Sequence, residues 1–364
     1  MRAANGRARA WLEIMRISNL PTVVSTAIAG GAIGATVAAR DTTVVDPAMW
    51  SLAAPPLAYI GGMILNDAFD ARIDAVERPA RPIPSGRIAP GHAYAAGFAC
   101  LGLALACAAA TGSIDAFLLA VLLVAIVVTY DAIHARARAV VLLLGASRAL
   151  ACLLPMVSFA HDADEGTHWA SLARGAAPVL PAILALWTVG LSIAARGEVI
   201  AVPAAGLWPC VRCRHAMHDS ADTCPECGAD NSSTARIRWA NRGRSWHMWI
   251  ITVVPLLLAV VVHQLVVPAA IAASGATGST VSMTASRQLA IFGIGLAIAV
   301  LATWARHRMA EDQRLTPFAV GVWIACLPLL DAMTLAAFGA WRLAGLCIGC
   351  TALTLIAQRR IAGS

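Results

Sequence analysis

Residues 49–74 read MWSLAAPPLAYIGGMILNDAFDARID, and their character changes at a single point. Up to Leu65 the stretch carries no charge, and the run to about residue 68 is long enough to cross the roughly 30 Å hydrocarbon core of a bilayer as a helix. It then sets Asn66, Asp67, Asp70 and Asp74 close together. At 3.6 residues per turn these four side chains share one helical stripe about 100° wide. Three carboxylates on one face at a membrane interface repel one another where screening is poor. A hard divalent cation with oxygen ligands, Mg²⁺ above all, relieves that repulsion. In the competing reading the acids only pair with Arg72, Arg78 and Arg81 on a wetted helix end. Against it stand the confinement of the acids to one stripe beneath an apolar helix and the tendency of ionisable groups near the bilayer to be functional.

Outward from this stretch the apolar pattern repeats. Runs of membrane-spanning length fall at about 20–39, 49–68, 92–110, 114–130, 139–160, 177–196, 248–272, 287–305, 316–337 and 341–358. Hydrophobic residues make up 59% of the 364 and charged residues 13%, about half the charged share of a soluble domain. An ordinary soluble fold and a disordered chain are both excluded. The expectation is an all-α polytopic membrane bundle of nine or ten transmembrane helices, many of them rich in the Gly and Ala that let helices approach closely in lipid.

There is no lysine, so all 27 basic residues are arginine. With the N-terminus inside, 22 of them face the cytoplasm. Arg40, Arg174, Arg287 and Arg342 lie outside, and Arg148 lies within the membrane. That asymmetry predicts cytoplasmic N- and C-termini in a bacterial inner (plasma) membrane. The first apolar run is too long for a signal-peptide core and reads as a retained helix.

The acidic cluster resembles a known family motif. Asn66, Asp67, Asp70 and Asp74 are similar, position for position, to the N-D-x-x-D-x-x-x-D motif of the UbiA superfamily of intramembrane prenyltransferases. Downstream, Arg78-Pro79-Ala80-Arg81-Pro82-Ile83-Pro84-Ser85-Gly86-Arg87-Ile88 resembles that family's R-P-I-P-S-G-x-I loop. Upstream, Arg16-Ile17-Ser18-Asn19-Leu20-Pro21-Thr22-Val23 resembles its lead-in to the first helix. These motifs cover roughly the first 90 residues, and the hydropathy pattern extends the similarity over most of the chain. The resemblance implies Mg²⁺-dependent transfer of a prenyl group from a prenyl diphosphate to a lipophilic acceptor, aromatic or other, within the membrane. It implies Asp67, Asp70 and Asp74 as catalytic metal ligands, Asn66 as a ligand or orienting group, and Arg72, Arg78, Arg81 and Arg87 as holders of diphosphate oxygens.

The family's second motif, D-x-x-x-D, has a degenerate counterpart here. Residues 190–198 read GLSIAARGE, with Glu198 the single acid and Arg196 able to bind phosphate directly. Tyr130 and Asp131, followed by Arg136 and Arg138, resemble the family's inner loop after the fourth helix. Arg148, one to two turns inside the fifth run, needs a polar partner in the membrane. It either contacts the diphosphate or satisfies Asp131 or a backbone carbonyl. Asp331 reads as a buried acid that is paired or protonated.

Cys210, Cys213, Cys224 and Cys227 form C-x2-C-x10-C-x2-C in the one long polar segment. This is the spacing of a closed, structural four-thiolate Zn²⁺ site of the zinc-ribbon kind, and a cytoplasmic loop disfavours disulfides. His215 and His218 read as surface residues, and Cys347-x2-Cys350 as helix packing. The expected division is 1–206, first part of the bundle; 207–232, the insert between helices 6 and 7; and 233–364, second part of the bundle. The insert braces the loop near the active-site mouth or binds a protein partner. Arg236, Arg238, Arg242 and Arg244 with Trp239 and Trp246 read as an anchor to anionic membrane lipid, with no nucleic acid expected. Two other functions remain on the sequence alone. One is a non-catalytic or transport-type relative that binds a prenylated lipid. The other is phosphotransfer from a nucleotide-linked lipid, whose D-G-x-x-A-R pattern is missing.

Overall fold

The computed structural model describes residues 2–38, 46–133, 140–162, 166–174, 177–195, 280–311 and 316–360, with short pieces at 207–209, 216–218, 222–224, 228–230, 257 and 259–262. In chain order its helices are α1 (Arg2–Ile14), α2 (Leu20–Val37), α3 (Ala54–Phe69), α4 (Ala71–Glu77), α5 (Pro90–Ala109), α6 (Ile114–Ile133), α7 (Val141–Phe159), α8 (Trp169–Arg174), α9 (Val179–Ala195), α10 (Thr280–Glu311), α11 (Thr316–Ala325), α12 (Leu327–Ala337) and α13 (Trp341–Arg360). Helices α2, α3, α5, α11 and α12 carry proline at one of their first two positions. There its missing N–H removes no helical hydrogen bond and its fixed φ suits the start of a helix.

Among the described residues, eight helical stretches are long and apolar enough to cross a membrane. They match the predicted runs in order, and α9 supplies a shorter ninth at the place of the sixth run. The run at 248–272 lies outside the described residues apart from 257 and 259–262. The last two runs are separate spans, divided by a turn in which Gly339 takes φ 79°. The ninth run is not one helix. It breaks at Cys326 into α11 and α12, because Pro328 has no N–H to continue the ladder. The protein is an integral membrane helical bundle.

Small residues decide which helices touch. A Cβ on Gly30 or Gly34 of α2 would run into the carbonyl groups of Cys152 and Met156 on α7. The two backbones therefore meet through a small-x-x-x-small stripe, and Thr22 on α2 comes beside Arg148 on α7. The same device joins α3 to α5, where a Cβ on Gly61 would lie 2.8 Å from the carbonyl oxygen of Gly97. In the second half, Trp187 Nε1 donates to Trp323 O at 3.1 Å and Trp323 Nε1 to Ala302 O at 3.2 Å, tying α9, α11 and α10 together. Two small hairpins decorate the bundle. β1 (His161–Asp162) pairs with β2 (Gly166–Thr167), and β3 (Leu207–Pro209) with β4 (Ala216–His218).

Candidate functional site

The acids sit where α3 hands over to α4. The helix formally ends at Phe69, but the backbone bonding carries on. Asp70 N donates to Asn66 O at 3.0 Å, and Asp74 N to Asp70 O at 2.8 Å. The predicted stripe therefore survives past the helix end. Asp67 is 6% and Asp74 4% exposed, which is not a wetted helix end. Asp70 is half-buried, while Arg72 and Arg78 are exposed.

Of the three arginines offered as partners, Arg81 takes the position. Its Nη1 lies 2.6 Å from Asp74 Oδ2 and 3.5 Å from Asp67 Oδ1. It is held there by the 78–88 loop, which folds into turns. Arg81 N donates to Arg78 O at 3.0 Å, Ser85 N to Arg81 O at 3.0 Å, and Ile88 N to Pro82 O at 3.1 Å. Gly86 takes φ 73°, a conformation that suits glycine. Ile83 and Ile88 anchor the loop in an apolar cluster with Ala10, Ile14, Ile64 and Ala68. Arg87 departs from the sequence expectation. Its guanidinium turns to Glu13 Oε2 at 2.9 Å and to Ala80 O at 2.8 Å, because α1 packs beside the loop and brings a carboxylate to it.

Arg16 lies in the lead-in to α2, and its Nη2 lies 3.6 Å from Asp67 Oδ1, a contact that the sequence pattern does not reveal. Its backbone is left-handed at φ 44°, a strained conformation for a non-glycine residue. Tyr59 Oη and Asn19 N both donate to its carbonyl, at 3.2 and 2.9 Å. A conformation held so firmly against its own preference is itself a sign of a positioned side chain.

Asn66 Nδ2 donates to Asp131 Oδ1 at 3.3 Å, which links the acids to a cavity of about 180 Å³. Tyr59, Tyr130, Asp131, Ser147 and Arg148 give it polar points among aliphatic walls from α2, α3, α6, α7 and α9. Arg148 Nη2 donates to Thr22 O at 2.6 Å, so a backbone carbonyl is its partner. The fold thus gathers Tyr130, Asp131 and Arg148 at one cavity, with Asn66 bonded to Asp131 behind its wall. Asp67, Asp74 and Arg81 cluster at its neighbouring helix end.

Arg196, Glu198, Cys210, Cys213 and Cys227 lie outside the described residues. Cys224 is buried at the start of a tight reversal. Gly228 N donates to Cys224 O at 2.8 Å and Cys224 N to Ala229 O at 3.0 Å. Gly228 takes φ 64°, and Thr223 bridges Asp230. Pro209 pairs with Ala216 across the segment that carries Cys210 and Cys213.

Among the described residues no three His, Cys, Asp or Glu side chains already close into a metal cage. Asp67 and Asp74 nevertheless share one cation, the Arg81 guanidinium. An oxygen-only set of this kind suits a hard cation such as Mg²⁺. Carboxylates, arginines and an apolar cavity thus lie side by side within the membrane bundle.

The chain belongs to the UbiA prenyltransferase family, whose model matches residues 23–314. It is 41% identical over 100 residues to the digeranylgeranylglyceryl phosphate synthase of Ignicoccus hospitalis, covering 28% of this chain and 31% of the relative. To the enzyme of the same name from Methanopyrus kandleri it is 38% identical over 103 residues, covering 27% and 35%. The matched segments thus span about a third of those relatives. A solved structure concerned with digeranylgeranylglyceryl phosphate synthase in membranes superposes with TM-score 0.53 at 14% identity, covering 92% of this chain and 99% of that one. It shares the fold. A UbiA homologue from Archaeoglobus fulgidus bound to DMAPP and Mg²⁺ superposes with TM-score 0.48 at 12% identity, covering 87% and 98%.

Proposed function

We propose that the protein transfers a prenyl group from a prenyl diphosphate to a lipophilic acceptor inside the membrane, with Mg²⁺ required. The observation that carries this is the pair of buried carboxylates, Asp67 and Asp74, sharing a loop-borne arginine beside an apolar cavity. In this reading Asp67, Asp70 and Asp74, with the Asn66 amide oxygen, hold the metal. Mg²⁺ bound there neutralises charge that builds on the departing diphosphate. Arg81 then turns from the carboxylates to diphosphate oxygens, joined by Arg72 from the exposed rim. Arg148 and Tyr130 meet the substrate from the cavity wall, and Arg196 and Glu198 are proposed as further substrate contacts. The aliphatic lining takes the prenyl chain and keeps water from the electron-poor carbon formed as the C–O bond breaks.

The relatives' names point to an acceptor, glyceryl phosphate already carrying one prenyl chain. The test is to incubate the purified protein in detergent with Mg²⁺, radiolabelled prenyl diphosphates of five to twenty carbons and a panel of acceptors, that one included. Acceptor-dependent diphosphate release, abolished by EDTA, is expected. Binding without release at every chain length overturns the enzymatic reading in favour of a lipid-binding protein.

The arginine distribution supports a plasma membrane location with termini and acid cluster on the cytoplasmic side, and with the 236–244 arginines on anionic lipid. Cys210, Cys213, Cys224 and Cys227 are proposed to hold structural Zn²⁺, within an insert at 207–232 that is also the surface offered to a protein partner. The turn at Cys224–Gly228 and the hairpin bracketing Cys210 and Cys213 support the reading, since a zinc knuckle needs such reversals. Metal analysis of the purified chain should find one zinc per protein, lost in Cys224→Ser. A metal-free wild type overturns the assignment.

A further inference from the structure

One buried carboxylate has no task in the reaction above. Asp331 on α12 is fully buried, and its Oδ2 accepts from Ser25 Oγ at 2.7 Å and from Thr26 Oγ1 at 3.1 Å. The same two hydroxyls each lie 3.0 Å from the carbonyl oxygen of Thr22. That oxygen also receives Arg148 Nη2, at 2.6 Å. A hydroxyl has one proton to donate. While Ser25 and Thr26 donate to Asp331, the lone pair of the Thr22 carbonyl that the α2 backbone ladder leaves over is open to Arg148. If they turn to Thr22 instead, Arg148 meets an acceptor already engaged. Arg148 Nε and Asp331 Oδ1 are buried without hydrogen-bond partners among the described residues. Arg148 lines the cavity, and its Nη2 carries a second N–H besides the one given to Thr22. A cation inside a membrane bundle is costly without an anion near it, and buried polar networks of this kind act as units.

We propose that Asp331 is a positioning residue for the diphosphate: through Ser25, Thr26 and the Thr22 carbonyl it holds the Arg148 guanidinium at the cavity wall, with donors left for an anion. The inference rests on the proposed function in one respect, that the cavity admits a prenyl diphosphate. Asp331→Asn keeps the side chain's size but removes its charge and introduces an N–H₂ group. Where that group faces Ser25 and Thr26, the hydroxyls accept from it and donate to Thr22, in competition with Arg148.

The test titrates full-length protein with geranyl thiolodiphosphate, a non-reacting probe, in the presence of Mg²⁺ and without acceptor, by calorimetry. Asp331→Asn should bind the probe about tenfold more weakly, and in an Arg148→Gln background should change binding by less than about twofold, as residues acting through one network do. An equal loss in both backgrounds makes Asp331 a support of the fold alone and overturns the proposal, as does unchanged binding by Asp331→Asn. Should that variant fail to fold, Ser25→Ala with Thr26→Val removes both competing hydroxyls. Probe binding should then stay within about twofold of the wild type, and adding Asp331→Asn should change it by less than about twofold; a tenfold loss at either step overturns the proposal. A wild type that never binds the probe removes the reading of the cavity itself, and that result is seen before any substitution is made.

Discussion

Asp67 near the end of α3, Asp74 on α4 and Asp331 in the middle of α12 are all less than a tenth exposed, yet they are answered by different partners. The first two meet arginines, Arg81 from a loop and Arg16 from the lead-in to α2. Asp331 meets two hydroxyls fixed on a neighbouring helix. An arginine at the end of a long side chain can leave a carboxylate when another cation arrives. A hydroxyl on the short side chain of a packed helix can turn its proton but cannot move away. Burial with an exchangeable partner marks a place where ligands come and go, and burial with a fixed partner marks the frame around it.

Substitutions sharpen the contrast. The largest effect is expected from Asp67→Asn or Asp74→Asn, which should lower prenyl transfer by about 100-fold or more while leaving the melting temperature in detergent close to that of the wild type. A mere loss of stability with turnover retained would break the comparison. Arg81→Gln comes next. Two buried carboxylates lose their shared cation, at a cost of roughly 3 kcal/mol. Millimolar Mg²⁺ should raise the melting temperature of this variant more than that of the wild type. An equal rise in both would show that the arginine does not stand in the metal's place.

Gly34→Leu touches neither set of acids but forces α2 away from α7, where a Cβ already meets the Met156 carbonyl. About 2 kcal/mol of stability should be lost, together with probe binding, because Thr22 and Arg148 separate. The smallest effect belongs to Arg87→Gln. Its ion pair with Glu13 is partly exposed, so a change within about 1 kcal/mol and nearly unaltered transfer are expected in paired melting and activity assays.

The membrane runs and the stripe of Asn66, Asp67, Asp70 and Asp74 were legible because hydropathy and helical period are local properties. The break at Cys326 was within reach too, since Pro328 stands in plain view. What pattern could not supply was the partner of each charge. Arg72, Arg78 and Arg81 lie within a few residues of one another, and only the folded 78–88 loop selects Arg81. Arg87 belongs to Glu13 because α1 returns beside that loop. Asp331 and Ser25 are 306 positions apart, a distance at which no periodicity speaks. The bond from Asn66 to Asp131 likewise needs α3 and α6 side by side, which depends on how glycines such as Gly62, against Val127, allow helices to approach.

The loop that carries Arg81 is stitched to itself by its own backbone and pinned by Ile83 and Ile88. Handing a carboxylate pair over to an incoming ion asks only that one guanidinium swing on its methylene stem. On the proposed function, that exchange needs no rocking of one half of the bundle against the other between turnovers. Kinetically, such a machine should be paced by entry and exit of its greasy cargo, unlike carriers that must flip their whole frame to reset.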